Sequence, residues 1–296
     1  MKILKDPRWI LTLIISLTLV SAELSYLFPP SIKDKLRQDK IANILLIGID
    51  ARPGETQTRS DTLILLSINK PLNKAALISI PRDTRIVFHG ANRKINMVNQ
   101  LKGPEVLCEE VGKLLNTDVD YYMIVNFTGF QEIIDAMGGV YMNVDIRMLS
   151  YTSGVFLEKG YQRLSGKQAL QYVRFRTNPD MDIGRINRQQ KLLMAMAKQI
   201  LETDNLLRLP RLITTMQQYV TTNISLNDML YLGYMARQFN EKNIIFQTLP
   251  GYAYFTYNGV SFWEADRKIA GSLLNALFAG HRFEANQPAP PWVKSW

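Results

Sequence analysis

Between Asn43 and Ile80 the chain carries three apolar runs, Ile44 to Ile49, Thr62 to Ile68 and Ala75 to Ile80. A strand exposed on one side alternates apolar and polar residues, whereas a strand covered on both faces reads as one continuous apolar stretch. The runs therefore demand a sheet with something packed on each side. Helical periodicity follows at Pro104 to Leu115, a strand-like run at Tyr121 to Phe127, a helix at Phe130 to Met137 closed by Gly138-Gly139, and a short strand at Val140 to Val144. Strands interleaved with helices predict an α/β fold, a three-layer α-β-α sandwich around a central mixed sheet. Beyond Ser165 the pattern is mostly helical, over Gly166–Tyr172, Arg185–Leu201 and Leu206–Val220, and Ser225-Leu226-Asn227-Asp228 reads as a cap opening a further helix. Ile244 to Leu249 reads as a last strand returning to the sheet.

The N-terminus sets the compartment. Lys2, Lys5 and Arg8 precede an uncharged apolar run from Trp9 to Ala22, an arrangement that keeps the basic flank in the cytoplasm and sends the downstream chain across the membrane. The run is shorter than the roughly 20 residues of a spanning helix, and Val20-Ser21-Ala22 has the small residues of a cleavage site. Tyr26, Leu27 and Phe28 extend it to an aromatic interfacial position before Pro29-Pro30, which favours a retained single-pass anchor in the cell membrane. The expected organisation is a cytoplasmic tail at 1–8, an anchor at 9–28, a charged tether at 29–40, an extracytoplasmic folded domain at 41–285 and an extended tail at 286–296.

The formal net charge is +9, which suits a nucleic acid, an anionic surface or a phosphorylated substrate. No zinc-finger spacing, RNP-like strand or long basic helix is present, which argues against nucleic acid as a partner. Cys108 is the only cysteine, so it forms no intramolecular disulfide, and its place in an amphipathic segment reads as core.

Chemistry gathers at the ends of the apolar runs. The first leaves through Asp50-Ala51-Arg52, the second is entered through Arg59-Ser60-Asp61-Thr62, and the third leaves through Pro81-Arg82-Asp83-Thr84, with Arg93-Lys94-Ile95-Asn96 shortly after. Open sheets bind ligands in the crevice outside their strand ends. A second cationic stretch lies at Tyr172-Val173-Arg174-Phe175-Arg176 and Gly184-Arg185 to Arg188-Gln189-Gln190. In an alternating segment Arg174 and Arg176 share a side, and in a helix opened by Arg185 the residues Arg185, Arg188 and Gln189 share a face. Guanidinium forks in this number suit a phosphate-rich ligand.

These six segments, in this order over about 150 residues, resemble the LytR-CpsA-Psr family, with the likeness covering roughly residues 41 to 205. The resemblance implies a membrane-anchored extracytoplasmic enzyme that moves a glycopolymer from a polyprenyl-pyrophosphate carrier to peptidoglycan through a phosphodiester link. It implies Asp50 and Asp61 as ligands of Mg2+. Arg52, Arg59, Arg82, Arg174, Arg176, Arg185 and Gln189 resemble the phosphate-contacting residues, with Arg82, Arg174, Arg176 and Arg185 in the catalytic role. Lys94 and Arg188 fall in the corresponding basic motifs, and Asp83 is placed to orient a neighbouring arginine. Magnesium takes one or two carboxylates and keeps phosphate and water as its other ligands, which fits a pair of aspartates. The same groups would serve a pyrophosphatase that releases its product to water, and an anchored non-catalytic regulator of envelope assembly is the alternative outside enzymology. An isoprenoid carrier needs an apolar channel, for which Phe127, Phe130, Ile133, Ile134, Met137, Met194, Met196 and the rest of the Leu192–Ile200 segment are candidate linings, although periodicity alone does not separate lining from core.

Overall fold

The computed structural model describes residues 31–51, 58–150, 155–175, 181–201, 209–236 and 238–290. The expected anchor at 9–28, Arg52 and Arg176 lie outside them. No helix among the described residues is long and apolar enough to cross a membrane.

In chain order the elements are α1 (Ile32–Arg37), β1 (Ala42–Ile49), β2 (Ser60–Asn69), β3 (Lys74–Ile80), β4 (Arg85–Phe88), β5 (Ala91–Lys94), α2 (Met97–Lys102), α3 (Pro104–Leu115), β6 (Tyr121–Asn126) and α4 (Phe127–Ala136). Next come β7 (Val140–Val144), β8 (Met148–Ser150), β9 (Val155–Leu157), β10 (Gly160–Leu164), α5 (Gly166–Arg174), α6 (Met181–Leu201), α7 (Leu209–Tyr219), β11 (Val220–Thr222) and α8 (Leu226–Ala236). The chain closes with β12 (Ile244–Thr248), β13 (Gly251–Phe255), β14 (Ser261–Ala265), α9 (Arg267–Ala270) and α10 (Leu273–Phe278).

The three apolar runs are the centre of a six-stranded mixed sheet of order β11-β6-β1-β2-β3-β12. β1 is antiparallel to β2 and parallel to β6, and β12 returns to run parallel to β3. The continuous runs are explained by two cores, one on each face. Leu45, Ile47 and Ile49 of β1 join Leu63, Leu65, Ala76 and Ile78 against Leu107, Val111 and Leu114 of α3 and Leu273 and Leu277 of α10. On the opposite face Ala42, Ile44 and Ile68 meet Ile32 and Leu36 of α1, with Met229 and Leu232 of α8 packed on them. Cys108 is buried in the first core, as its pattern required.

Three expectations need correction. Residues 31–40 are not an open tether: Ile32–Arg37 is helical with Ile32 and Leu36 fully buried. Tyr172-Val173-Arg174 is not an alternating strand but the end of α5, whose start is fixed by a reciprocal cap between Ser165 and Gln168. Once that cap sets the helix, Tyr172 and Val173 are both carried inward and Arg174 is left at the exposed C-terminus. The helix expected to open at Arg185 opens at Met181. The short strand expected at Val140–Val144 is present as β7, and it pairs with β10 in a two-stranded sheet of its own.

Candidate active site

A cavity of about 630 Å³ lies on one face of the sheet, under α4, α5, α6 and α7. Its floor is a two-row grid set by strand register. Gly48 stands opposite Thr62 and Val125, and Leu46 stands opposite Ile64 and Met123, and all six line the cavity. Gly48 is required here because a Cβ would come within 2.9 Å of the Thr62 Cβ. Thr62 in turn accepts a hydrogen bond from Gln189 Nε2 at 3.1 Å, so the close approach of β1 and β2 positions the anchor point of α6.

One stripe of α6 crosses from polar to apolar. Arg185, Gln189, Leu192 and Met196 recur at helical spacing along the cavity wall. Gln190 holds the helix to the sheet from the neighbouring face, donating to Ser79 Oγ at 3.0 Å and Thr248 Oγ1 at 3.2 Å. The roof adds Phe127, Phe130 and Ile133 from α4, Leu170, Val173 and Arg174 from α5, and Met216 from α7. α4 enters through Asn126, whose Oδ1 accepts from the Gly129 amide at 2.8 Å and which itself lines the cavity.

The charged groups collect at one end. Asp50 follows β1, Asp61 is the second residue of β2 and Arg82 follows β3; with Arg174 and Arg185 they are the charged side chains of the wall among the described residues. Arg82 Nη1 lies 2.8 Å from Asp61 Oδ1. The Arg174 guanidinium sits 4.3 Å from the centre of the Phe127 ring, a cation–π contact that fixes its plane over the cavity roof. Arg185 is buried, 8 % exposed, so its charge faces the cavity and not bulk water. The N-terminus of α6 lies one turn away and adds positive potential.

Of the residues singled out from sequence, Asp50, Asp61, Arg82, Arg174, Arg185 and Gln189 are brought to this one cavity. Arg188 is not on its wall: its Nη2 donates to the Phe175 carbonyl and ties the end of α5 to α6. Asp83 pairs with Lys94 at 3.1 Å and not with an arginine, and Lys94 also lies 5.8 Å from the Phe262 ring. Both stand behind the Arg82 segment. Arg59 is solvent-exposed at the entry to β2, off the wall. Thr62, Asn126 and Gln190 were not assigned roles from sequence, because each is neutral and takes its part only from its partners across the fold. Of the proposed linings, Phe127, Phe130, Ile133, Leu192, Leu193 and Met196 face the cavity, whereas Ile134 and Met137 are buried in separate packing clusters. Met194 is not on the wall.

The sequence profile of the LytR_cpsA_psr family matches residues 22–279. The chain belongs to the LytR-CpsA-Psr family. Regulatory protein MsrR of Staphylococcus aureus is 33 % identical over 218 residues, 73 % of this chain and 66 % of MsrR, so the chain spans about two thirds of that relative. Polyisoprenyl-teichoic acid–peptidoglycan teichoic acid transferase TagU of Bacillus cereus is 32 % identical over 252 residues, 83 % of this chain and 80 % of TagU. The crystal structure of B. subtilis TagV superposes with a TM-score of 0.71 at 28 % identity, covering 81 % of this chain and 96 % of TagV. A structure of TagT bound to LI-WTA gives a TM-score of 0.66 at 28 % identity over 80 % of this chain and 89 % of that one. Family membership accounts for the six motifs occurring together in one chain.

Proposed function

We propose that this LytR-CpsA-Psr protein is a membrane-anchored extracytoplasmic phosphotransferase. Its donor is a glycopolymer on a polyprenyl pyrophosphate, and its acceptor is a sugar hydroxyl of peptidoglycan. One observation carries the reading: a single cavity is apolar along most of its length and closes at one end with three guanidinium groups and two carboxylates. An isoprenoid tail fits the first part and a pyrophosphate the second. The relative named as a teichoic acid transferase to peptidoglycan supports the same class of reaction.

In this scheme the acceptor oxygen attacks the phosphorus that bears the glycan. The new P–O bond forms as the bond to the bridging oxygen breaks, the hydroxyl proton passes to solvent, and polyprenyl phosphate leaves with the electron pair. Arg174 and Arg185 hold the non-bridging oxygens, where guanidinium groups in a partly dry site stabilise developing charge. Arg82 pairs with Asp61 and so restricts where its carboxylate can move. Asp50 and Asp61 would hold Mg2+: two carboxylates on one wall beside a phosphate subsite are the donor set a magnesium ion takes, with phosphate and water completing its shell. Bound there, the ion would supply charge neutralisation on the pyrophosphate.

The test is incubation of the full chain with labelled lipid-linked glycan, with and without peptidoglycan. Label is expected to move to peptidoglycan, and Arg174→Ala and Arg185→Ala are each expected to lose transfer while melting like the parent. Normal transfer by both variants would remove the site assignment, and release of label to water regardless of acceptor would make the protein a hydrolase.

A further inference from the structure

The face of α8 turned to solvent is uncharged and mostly apolar, with Asn227 its one exposed polar side chain. Leu226, Leu230 and Tyr234 are 44 %, 44 % and 60 % exposed at positions i, i+4 and i+8, one stripe of the helix. Within Leu226–Ala236 the only charged residue is Asp228, and it is buried. A surface helix of a soluble domain places charge on its outward face; this helix does not.

The position of the stripe identifies what it meets. Asp228 is fastened to the point where the described chain begins: Ser31 Oγ donates to its Oδ1 at 2.8 Å and the Lys33 amide at 3.0 Å. α8 therefore sits beside the exit of residues 1–30, which carry the uncharged run Trp9–Ala22. Of the cations in residues 31–40, Lys35 is taken by Asp120, and Lys33, Arg37 and Lys40 stand against Asp34 and Asp39, a small positive excess suited to anionic headgroups. This is also the end of the sheet opposite the charged mouth. α1 packs with Tyr121 and Ile224 at the start of β6, whereas Asn126 and Asp50 stand at the far ends of β6 and β1. The eight residues of β1 separate the two ends by about 25 Å.

We infer that the Leu226–Leu230–Tyr234 face docks on the lipid surface that the Trp9–Ala22 run enters, resting on the anchoring proposed above. Docking turns the arginine mouth away from the bilayer, toward the acceptor polymer. It directs the apolar end of the cavity, at Leu46, Met123 and Met216, toward the lipid from which a donor would come.

The full-length Leu230→Cys variant tests this in vesicles of phosphatidylglycerol and phosphatidylethanolamine. Cys108 is buried, so the added thiol takes an environment-sensitive fluorophore. Val87, 65 % exposed on β4, five residues beyond Arg82 in the chain, provides the Val87→Cys control. The label at 230 is expected to shift to the blue and to be quenched several-fold by nitroxide-bearing lipids, with the label at 87 unaffected. A chain that does not co-float with vesicles refutes the anchor and the docking together. A chain that co-floats while position 230 stays aqueous refutes the docking alone. A blue-shifted label that lipid nitroxides do not quench assigns the face to another protein surface and also overturns it.

Discussion

Arg82 and Asp61 face each other across the ends of β3 and β2, with Nη1 2.8 Å from Oδ1, at the rim of a cavity that is otherwise mostly apolar. Both side chains keep about a third of their exposure, 26 % and 35 %, so the pair contributes little to stability, about 0–1 kcal/mol. Its importance is chemical. Asp61→Asn is expected to lower transfer by about 10²-fold or more, with an unchanged melting temperature and retained binding of lipid-linked donor. Chelation of divalent ions should reduce the parent to the same level and leave the variant where it is. Unaltered transfer by Asp61→Asn would detach this carboxylate from the reaction.

Gly48 permits the contact of β1 with Thr62, and Thr62 holds Gln189. Gly48→Ala places a methyl group 2.9 Å from the Thr62 Cβ, in a strand with both neighbours fixed. Overpacking of this kind costs about 1–3 kcal/mol. Differential scanning calorimetry should show a melting temperature several degrees lower, and transfer should fall further than the Thr62→Ala variant alone produces. A variant as stable as the parent would show that the strands yield there.

Met196 lies on the apolar part of the α6 stripe, three turns from Arg185. If an isoprenoid lies along that stripe, Met196→Trp shortens the space for its tail and leaves the phosphate end intact. The expected signature is a raised KM for a long-chain donor with little change for a short-chain one. Equal effects on both donors, or none, would place the tail elsewhere.

Asp228 links pH to the packing of α1 on α8. Burial would raise its carboxyl, but hydrogen bonds from the Lys33 amide and the Ser31 and Ser225 hydroxyls outweigh it and hold the group below its usual value. A depressed folded-state value means the stabilisation is present above the unfolded value of about 3.9 and is lost as pH falls through the lower, folded one. The urea midpoint should therefore drop steeply below about pH 4 in the parent, and less so in Asp228→Asn. At about pH 7 the Asn variant should be less stable by about 1–3 kcal/mol, since buried donors lose a charged acceptor. Parallel acid profiles for the two proteins would show that another carboxylate governs the transition.

Burial first, then the nearby carboxylates of Glu105, Asp120 and Glu109, pushes the Cys108 thiol up to about 12. At about pH 8 only on the order of 1 in 10,000 such thiols is ionised, and the thiolate is the reactive form. A maleimide should therefore leave the native chain unlabelled and react fully once urea unfolds it. Rapid labelling of the native protein would mean that α3 opens readily.

Much of the central sheet was legible because burial on both faces writes itself as uninterrupted apolar sequence, as in Ile44–Ile49. α3 matched its expected bounds, Pro104 to Leu115, since a proline start and a clean helical period leave little ambiguity. The β4–β5 hairpin was not read: its turn, His89-Gly90, takes positive φ at both positions, a conformation that the surrounding residues do not announce. β11 is not legible, and the expected helix runs on into its first residue, Val220, because three residues paired to β6 carry no period of their own. Asp50, Asp61 and Arg82 could be nominated, since charge at the edge of an apolar run is conspicuous, and Arg174 and Arg185 by the density of the cationic stretch that holds them. Their separation from Arg188 and Lys94 could not, because Arg188 differs from Arg185 only in which side of α6 it occupies once Gln189 and Gln190 grip the sheet.

The sequence by itself determined a buried mixed sheet, helices to cover it and a set of cations and carboxylates at its strand ends, because burial and charge are properties of residue types in local order. Only the tertiary structure decided which of those charges share a cavity, that its wall continues into an apolar channel, and that α8 stands at the opposite end with α1 bound to it. Those depend on strand register and on contacts such as Gln189 with Thr62 and Ser31 with Asp228, between residues 127 and 197 positions apart, which local pattern does not encode.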